Sequence, residues 1–258
     1  MSEADRPAAA PTFRPPFDAA DETVPLLRSR GYLVLDAAAT ARIAGTALTA
    51  LEPLRASWDD LVPDAYLKDG GRYRRRRHAC FIDEDGAVER VAHRAHWQPV
   101  EYNALHGGMH RWFEPMSDAV ARAPAWQRLV AGIGAVCSSV RGVSRWYVEA
   151  HQFRIDTEAG IGRPTPEGAH RDGVDFVAVL LVQRRGVKGG ETRVFDAAGP
   201  DGRRFTMTDP WTLLLLDDAR VIHETTPIQP LDPDDANGVR DTLVLTYRAA
   251  GFQGDEAD

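Results

Sequence analysis

The pattern of hydrophobic and polar positions changes near residue 142. In the stretch 115–141, apolar residues such as Val120, Leu129 and Ile133 recur at helical spacing. Beyond residue 142, the apolar residues come in short runs separated by turns rich in Gly, Pro and Asp. This change predicts a helical first half packed on a β-rich second half.

Smaller elements are predicted within the first half. They are a helix at 22–29, a strand at 32–35, a helix with Thr40 as its N-cap and a strand at 73–82. In the second half, six β-rich runs are predicted at 146–155, 174–183, 192–195, 204–207, 211–217 and 242–248. Their short lengths and regular spacing favour an antiparallel sandwich or barrel.

These elements together predict an α+β fold in one domain over residues 21–258. Its helical part covers about 21–142, and its β core covers about 143–250. Residues 1–20 are rich in Ala and Pro and lack periodicity, so we predict a flexible lead-in there.

The charge balance excludes some kinds of partner. The chain has 38 acidic and 31 basic residues and a formal net charge of −7, which argues against general binding to nucleic acid or to anionic membranes. Its apolar stretches are far shorter than the roughly 20 residues that span a bilayer, and the N-terminus lacks the basic and apolar regions of a signal peptide. We expect a cytoplasmic protein, with a homodimer as the default assembly.

His170, Asp172 and His223 form the strongest chemical pattern in the chain. His170 and Asp172 precede a predicted strand, and the alternation of an extended segment places both side chains on one side. A histidine near a neighbouring strand can complete one triangular face of an octahedron. Two neutral imidazoles and one carboxylate suit iron(II) with three open positions, whereas structural zinc prefers four closed ligands, usually with thiolates.

His-Arg-Asp also occurs in the catalytic loop of protein kinases. The Asn expected five residues after the Asp is absent here, as is a glycine-rich loop near the N-terminus. The kinase interpretation is therefore rejected. The β-rich context on both sides favours the metal interpretation.

Arg240 opens the last predicted strand. If that strand pairs with the strand 211–217, Arg240 lies near the metal end of the sheet. Its guanidinium could then hold the far carboxylate of 2-oxoglutarate in a bidentate fork. A solvated arginine at a strand end is the alternative, and spacing alone does not decide between them.

Several ordered segments carry a resemblance to a known family. They are EAHQFR at 149–154, GAHRDGVDF at 168–176, KGGETR at 188–193, DARVIH at 218–223 and RDTLVLT at 240–246. These segments resemble the bacterial 2-oxoglutarate/Fe(II)-dependent dioxygenases that hydroxylate free amino acids, the L-isoleucine dioxygenases among them. The similarity covers roughly residues 146–248.

The resemblance implies a double-stranded β-helix core, a cupin-like jelly roll, with N-terminal helices packed on it. It implies His170, Asp172 and His223 as iron ligands and Arg240 as the anchor of 2-oxoglutarate; Gln152 and Thr192 are added as cofactor-binding candidates. The co-substrates would be 2-oxoglutarate and O2, with ascorbate as the in vitro reductant. Halogenation is disfavoured, because Asp172 keeps the carboxylate ligand that related halogenases replace.

Substrate-binding candidates lie outside the triad. In the run RYRRRRH at 72–78, Arg74 and Arg76 share one face of a strand and could meet the carboxylate of an amino acid; a solvated edge strand is the alternative. Arg154 is a further candidate, although its strand does not reveal which face meets the cavity. Asp175 could meet a substrate ammonium.

The other histidines at short spacings are His93, His96, His106 and His110. We interpret all four as residues of the surface or of irregular segments rather than as a second metal site.

The leading hypothesis is hydroxylation of a free L-amino acid at an unactivated side-chain carbon, with release of succinate and CO2. The same ligands also serve oxidative cyclisation or desaturation in natural-product biosynthesis. A cupin-type oxygenase without 2-oxoglutarate would make Arg240 dispensable. The alternative from another class is a non-enzymatic β-sandwich that binds a small ligand.

Overall fold

The computed structural model describes residues 13–255 except residues 69, 71, 104 and 236. Most of the predicted flexible lead-in, residues 1–12, lies outside this range. Asp18 is already attached to the fold, because its carboxylate accepts a hydrogen bond from the Val34 N–H at 2.9 Å. Among the described residues, no helix is both long and apolar enough to cross a membrane.

The described part of the chain contains five α-helices, thirteen strands and two 3₁₀ helices, Ala20–Glu22 and Glu52–Trp58. The helices are α1 Thr23–Arg30, α2 Ala37–Ile43, α3 Leu48–Leu51, α4 Asp118–Ala121 and α5 Pro124–Arg141. The strands of the first half are β1 Tyr32–Leu35, β2 Val62–Pro63, β3 Arg74–Glu84 and β4 Ala87–Arg90. Those of the second half are β5 Arg145–Asp156, β6 Phe176–Arg185, β7 Val187–Gly189, β8 Thr192–Asp196, β9 Gly202–Phe205, β10 Leu213–Asp217, β11 Val221–Thr225, β12 Ile228–Pro230 and β13 Val239–Arg248.

The strands form an antiparallel jelly-roll core. The main sheet has the order β1-β10-β6-β13-β5-β3-β2, with β4 paired to β3; a second sheet has the order β11-β8-β9, and β12 pairs with β7. The predicted fold class, a jelly roll with N-terminal helices, is confirmed. The strands predicted in the helical half, now β1 and β3, also belong to the main sheet.

Apolar packing occurs on both faces of the main sheet. On the outer face, α5 contributes Trp126, Leu129 and Ile133 to a large core. On the inner face, a smaller cluster that includes Leu181 and Val194 lies between the two sheets. The continuous apolar runs of β6 and β10 follow from this arrangement, because a strand covered on both faces has no need of alternating polar residues.

Two glycines let α5 approach its neighbours closely. A Cβ at Gly132 would lie 2.2 Å from the Ile43 carbonyl oxygen, and a Cβ at Gly134 would lie 2.1 Å from Oδ2 of Asp83. These contacts explain why α5 is continuous despite its glycines, which are individually unfavourable in helices.

Two details of the predicted elements are wrong. Asp36, rather than Thr40, caps α2, since its carboxylate accepts a hydrogen bond from the Ala39 N–H at 2.8 Å. The last strand, β13, pairs with β5 and β6 rather than with the strand over 211–217. Because β13 is central, Arg240 faces the space between the two sheets and not a sheet edge.

Candidate active site

His170, Asp172 and His223 converge at one end of the jelly roll. His170 and His223 form an antiparallel bridge, in which each backbone N–H donates to the other residue's carbonyl at 3.0 Å. An Asp172 carboxylate oxygen lies 3.9 Å from Nε2 of His170, and the other lies 3.8 Å from Nε2 of His223. One ligand atom from each residue lies within 4.8 Å of the others, which is the spacing of donors around a single ion.

Neighbouring groups fix the orientation of this triad. Nδ1 of His170 lies 2.9 Å from the Gly168 carbonyl oxygen. The Asp218 carboxylate accepts three backbone N–H groups from the turn 172–174, at 2.7 to 3.1 Å. The Gln98 amide donates to Asp172 Oδ1 at 3.1 Å. Such outer contacts hold ligands in place before the metal binds.

The donor set fits iron(II). Burial and the nearby His170 lower the pKa of His223 well below its usual range, so His223 is neutral and available as a ligand. Its Nδ1 is buried without a hydrogen-bond partner among the described residues. Two imidazole nitrogens and a carboxylate leave further coordination positions open towards the cavity, as an iron oxygenase requires.

Arg240 fits the far carboxylate of 2-oxoglutarate. Its side chain is 3% exposed, and Nε and Nη2 have no hydrogen-bond partner within the described part of the chain. Burial and the neighbouring Arg184 lower the pKa of Arg240 to about 10. A buried, unpaired guanidinium is costly unless a carboxylate joins it, so this residue has the properties of an anion anchor.

The triad and Arg240 share one cavity between the sheets. The inward side chains of β13 form one wall, running from Arg240 through Thr242 and Val244 to Thr246. Two strands along the same sheet, β3 contributes Arg74 and Arg76, and Arg111 lines the cavity with them. His223 lies on β11 of the second sheet, bridged to His170, and Asp172 lies beside both.

The arginine wall is positively charged and well buried. Nε of Arg74 donates to Asp64 Oδ2 at 2.7 Å. The Arg76 guanidinium lies 3.5 Å from the ring centroid of Phe113, and Arg111 Nη2 donates to the neutral Gln98 at 2.9 Å. Asp64 is the carboxylate in contact with Arg74 and Arg76. Three guanidinium groups therefore exceed the anionic charge that contacts them.

The predicted roles of Gln152 in cofactor binding and of Arg154 in substrate binding are wrong. Their side chains point away from the cavity, because the register of β5 turns His151 and Phe153 inward. The Gln152 amide donates to the Ser57 hydroxyl at 2.7 Å. Arg154 forms a salt bridge of 2.7 Å with Asp241 on the outer face of the sheet.

The predicted contact of Asp175 with a substrate ammonium is also wrong. Its carboxylate accepts a hydrogen bond from the Ala249 N–H at 2.9 Å and lies 3.4 Å from Arg141, away from the cavity lining.

Thr192 pairs with the cavity residue Thr225 in the β8–β11 register. Its hydroxyl is buried without a hydrogen-bond partner among the residues described, so a role in cofactor binding stays a prediction.

Sequence reasoning missed a group of buried residues beside Arg76. His96 and His106 lie in irregular segments, as one of the two interpretations held, but they are buried and line the cavity, so a surface location is wrong for both. His96 forms an antiparallel bridge with Arg111, which brings the irregular segment into the cavity wall. Alternation along β5, which places Glu149, His151 and Phe153 on one face, is the sequence signal for this wall, although alternation alone does not show that this face is the inward one.

His78, His96, Glu149 and His151 form a histidine–glutamate cluster in that wall. Glu149 Oε2 lies 2.8 Å from Nε2 of His78 and 2.7 Å from Nδ1 of His96. Although burial alone raises the pKa of Glu149, His96 and His78 hold it well below its usual range. Burial also lowers the pKa of His96 to about 4, despite the neighbouring Glu149. The cluster is therefore an ionised carboxylate hydrogen-bonded to neutral imidazoles.

Comparisons with known proteins agree with this geometry. The sequence matches the family model described as 2OG-Fe dioxygenase over residues 55–246. A search of the curated proteins finds no significant match.

Solved structures cover nearly the whole chain. The crystal structure of a bsmA homolog from Methylobium petroleophilum is 55% identical, with a TM-score of 0.87, and the match covers 92% of this chain and 96% of that one. IDO from Bacillus thuringiensis is 17% identical with a TM-score of 0.71, covering 90% and 96%. The Fe(II)/(alpha)ketoglutarate-dependent dioxygenase TqaL is 20% identical with a TM-score of 0.69, covering 91% and 88%. The last two similarities concern the fold alone.

Proposed function

Because the chain belongs to the 2OG-Fe dioxygenase family, we propose that it hydroxylates a free L-amino acid at an unactivated side-chain carbon. Succinate and CO2 are the accompanying products. The observation that supports an amino acid is the arginine wall of Arg74, Arg76 and Arg111 in the cavity of the metal triad. A buried surplus of guanidinium groups favours a substrate with a carboxylate.

Each side of the cavity has a separate task. His170, Asp172 and His223 would hold iron(II), and Arg240 would hold the far carboxylate of 2-oxoglutarate. Bound iron and 2-oxoglutarate supply the oxidising power of the reaction, drawn from O2. Arg74, Arg76 and Arg111 bind the substrate carboxylate, so that the substrate side chain extends towards the triad. Phe153 and Val244 provide apolar cavity wall between the two ends and exclude water from the reacting carbon.

The test supplies iron(II), 2-oxoglutarate, ascorbate and air to the protein, together with a panel of free L-amino acids. Succinate and substrate mass are measured in the same samples. Succinate that depends on one amino acid, with a gain of one oxygen in that amino acid, supports the proposal. A loss of two hydrogens instead would identify cyclisation or desaturation with the same cofactors. Succinate without change in any amino acid contradicts a free amino acid substrate.

A further inference from the structure

Two neutral histidines, His96 and His151, lie side by side in the cavity wall next to Arg76. Their ring centroids are 4.7 Å apart, and the rings are nearly perpendicular. Both residues are buried by the protein and line the cavity. Neither is needed to hold iron or 2-oxoglutarate.

Hydrogen bonding fixes the proton of His96 on Nδ1. Glu149 is ionised and can only accept, so the 2.7 Å contact requires an N–H on Nδ1 of His96. A neutral imidazole has one N–H, which leaves Nε2 with a lone pair. Nε2 has no hydrogen-bond partner among the described residues. His96 therefore offers a hydrogen-bond acceptor.

The proton of His151 is fixed in the opposite way. Arg76 Nη2 lies 2.6 Å from Nδ1 of His151, and a guanidinium can only donate. Nδ1 of His151 therefore accepts, and its proton resides on Nε2. Burial and the neighbouring Arg76 lower the pKa of His151 well below its usual range, so the ring stays neutral. His151 thus offers a donor beside the acceptor of His96.

Two other acceptors near the arginine wall, Gln98 and Asp64, are already engaged. Gln98 Oε1 accepts from Asn103 at 3.0 Å and from Arg111 at 2.9 Å. Asp64 accepts from Arg74 and lies 3.7 Å from Arg76. The Glu167 carboxylate also lines the cavity, but it lies on the iron side, 3.5 Å from Nε2 of His170. A positively charged donor that enters beside Arg76 therefore has a free acceptor at Nε2 of His96.

We propose that His96 and His151 recognise the head group of an α-amino acid. Nε2 of His96 accepts a hydrogen bond from the substrate ammonium, while the Nε2–H of His151 and the guanidinium of Arg76 hold the carboxylate. Glu149 is the positioning residue that keeps His96 in the accepting tautomer. This inference rests on the proposed function and specifies how a free amino acid is distinguished from a simple carboxylic acid.

The same cluster has ligand atoms close enough to hold a second metal ion, but its hydrogen bonds disfavour one. Glu149 is in direct hydrogen-bond contact with two histidines, which a bound metal would have to displace. Binding through Nε2 of His151, with Nδ1 still accepting from Arg76, would leave that ring without any proton. The nearby guanidinium also repels a cation.

The experiment uses the iron-loaded enzyme with 2-oxoglutarate. It compares the amino acid that gives most succinate with the carboxylic acid that lacks only its α-amino group, which for L-isoleucine is 3-methylpentanoate. We expect kcat/KM of the wild type to favour the amino acid by about 100-fold, because Nε2 of His96 loses its charged donor when the analogue, which has no ammonium group, is bound. In His96→Phe the preference should fall below about 10-fold, mainly through a higher KM for the amino acid.

Two conservative variants test the assigned roles. His96→Gln retains an amide oxygen that can accept, so part of the preference should return. Glu149→Gln puts a neutral amide where the ionised Oε2 accepts from both His78 and His96, so the accepting tautomer of His96 is held less strongly and the preference should fall with little change in kcat. The exposed His110 gives a matched control, since His110→Ala should keep the wild-type preference. Thermal unfolding and iron content establish that each variant is folded and loaded.

The possible results separate this inference from the proposed function. An active His96→Phe that keeps the full preference would overturn the role of His96 while leaving amino acid hydroxylation intact. Two metal ions per chain, with one lost in His96→Phe, would overturn the inference in favour of a second metal site. Failure of every amino acid to support succinate formation by the wild type would overturn both proposals.

Discussion

Two clusters of histidines and carboxylates face the same cavity, and only one of them is suited to a metal. The triad of His170, Asp172 and His223 has its nitrogens 3.8 to 3.9 Å from the Asp172 carboxylate, too far for direct hydrogen bonds. In the histidine–glutamate cluster, Glu149 contacts two histidines at 2.7 and 2.8 Å. Arg76 also contacts that cluster.

The difference shows that closeness of ligand-type side chains does not define a metal site. In the triad, open space remains for an ion, and outer hydrogen bonds hold the side chains apart. In the cluster, the Glu149 carboxylate is already bound by His78 and His96, and Arg76 supplies the local positive charge. The first arrangement can bind a cation, whereas the second fixes tautomers.

Removal of a triad histidine should have the largest effect on activity. His223→Ala should abolish stable iron binding and reduce succinate formation by about 1000-fold, because the metal contributes several kcal/mol to the reaction. His78→Gln, in the other cluster, should retain about one iron per chain. Elemental analysis measures the iron content of both variants. Equal loss of iron in the two would contradict the assignment of the metal site to the triad alone.

Arg240→Met should raise the KM for 2-oxoglutarate by about 100-fold, since a buried charge-assisted pair with the co-substrate is lost. The exposed Arg185 at the end of β6 provides the control, and Arg185→Met should leave this KM unchanged. Initial rates at varied 2-oxoglutarate give both values. If the KM for 2-oxoglutarate were unchanged in Arg240→Met, Arg240 would not be the anchor of the co-substrate.

Glu149→Gln should lower the free energy of unfolding by about 2 to 3 kcal/mol, because buried histidine donors lose an ionised acceptor. Glu158 is the matched control: its side chain is 80% exposed, 3.7 Å from Arg75, and Glu158→Gln should change stability by less than about 0.5 kcal/mol. Urea unfolding monitored by tryptophan fluorescence measures both. Similar values for the two variants would contradict a structural role for the cluster.

The lowered pKa of His96 predicts loss of stability in acid. Its folded-state pKa is about 4 against an ordinary value of 6.5, so the unfolded chain binds more protons between these values. The contribution of His96 is therefore present above pH 6.5 and is lost as the pH falls towards 4. Between pH 7.5 and 5.0 the wild type should lose about 2 kcal/mol more than His96→Gln in urea unfolding. Parallel pH profiles at equal iron loading would refute this assignment.

Asp83, near the end of β3, contrasts with Glu149: its pKa is raised, whereas the pKa of Glu149 is lowered. Burial raises its pKa to about 6, because its described polar contact is the Gly86 N–H at 3.0 Å rather than a pair of histidines. Asp83→Asn should therefore stabilise the protein by about 1 kcal/mol at pH 8. The gain should shrink at pH 5, where the native carboxyl is already protonated. Thermal unfolding of both proteins at the two pH values measures this effect. An Asp83→Asn variant less stable than the wild type at pH 8 would contradict the prediction.

The triad could be predicted from the sequence because two of its three ligands lie close together in the chain. His170 and Asp172 lie two residues apart on extended backbone, and the β runs on either side indicate the fold that supplies His223. The family match also excludes the non-enzymatic sandwich, since the chain is a 2OG-Fe oxygenase. Alternation along the arginine run groups Arg74 and Arg76 on one face of β3, and this face lines the cavity; the sequence left open which face turns inward.

The substrate side could not be predicted in the same way. Alternation along β5 separates Gln152 and Arg154 from His151 and Phe153, but it does not indicate which pair faces inward. That choice depends on pairing with β3 and β13, which are distant in sequence. His96 enters the cavity through its bridge to Arg111, a tertiary contact with no periodic signal.

The two walls of the cavity originate from different stretches of the chain. The iron ligands and Arg240 lie between residues 170 and 240, whereas Arg74, Arg76, His96 and Arg111 lie between residues 74 and 111. Mutations in the earlier stretch can change which molecule is held without replacing an iron ligand or Arg240, provided that Gln98, which donates to Asp172, is kept. Such a division makes new substrate ranges accessible in few mutational steps, and it identifies residues 96–103 and 105–111, Gln98 excepted, as the first region to randomise in directed evolution.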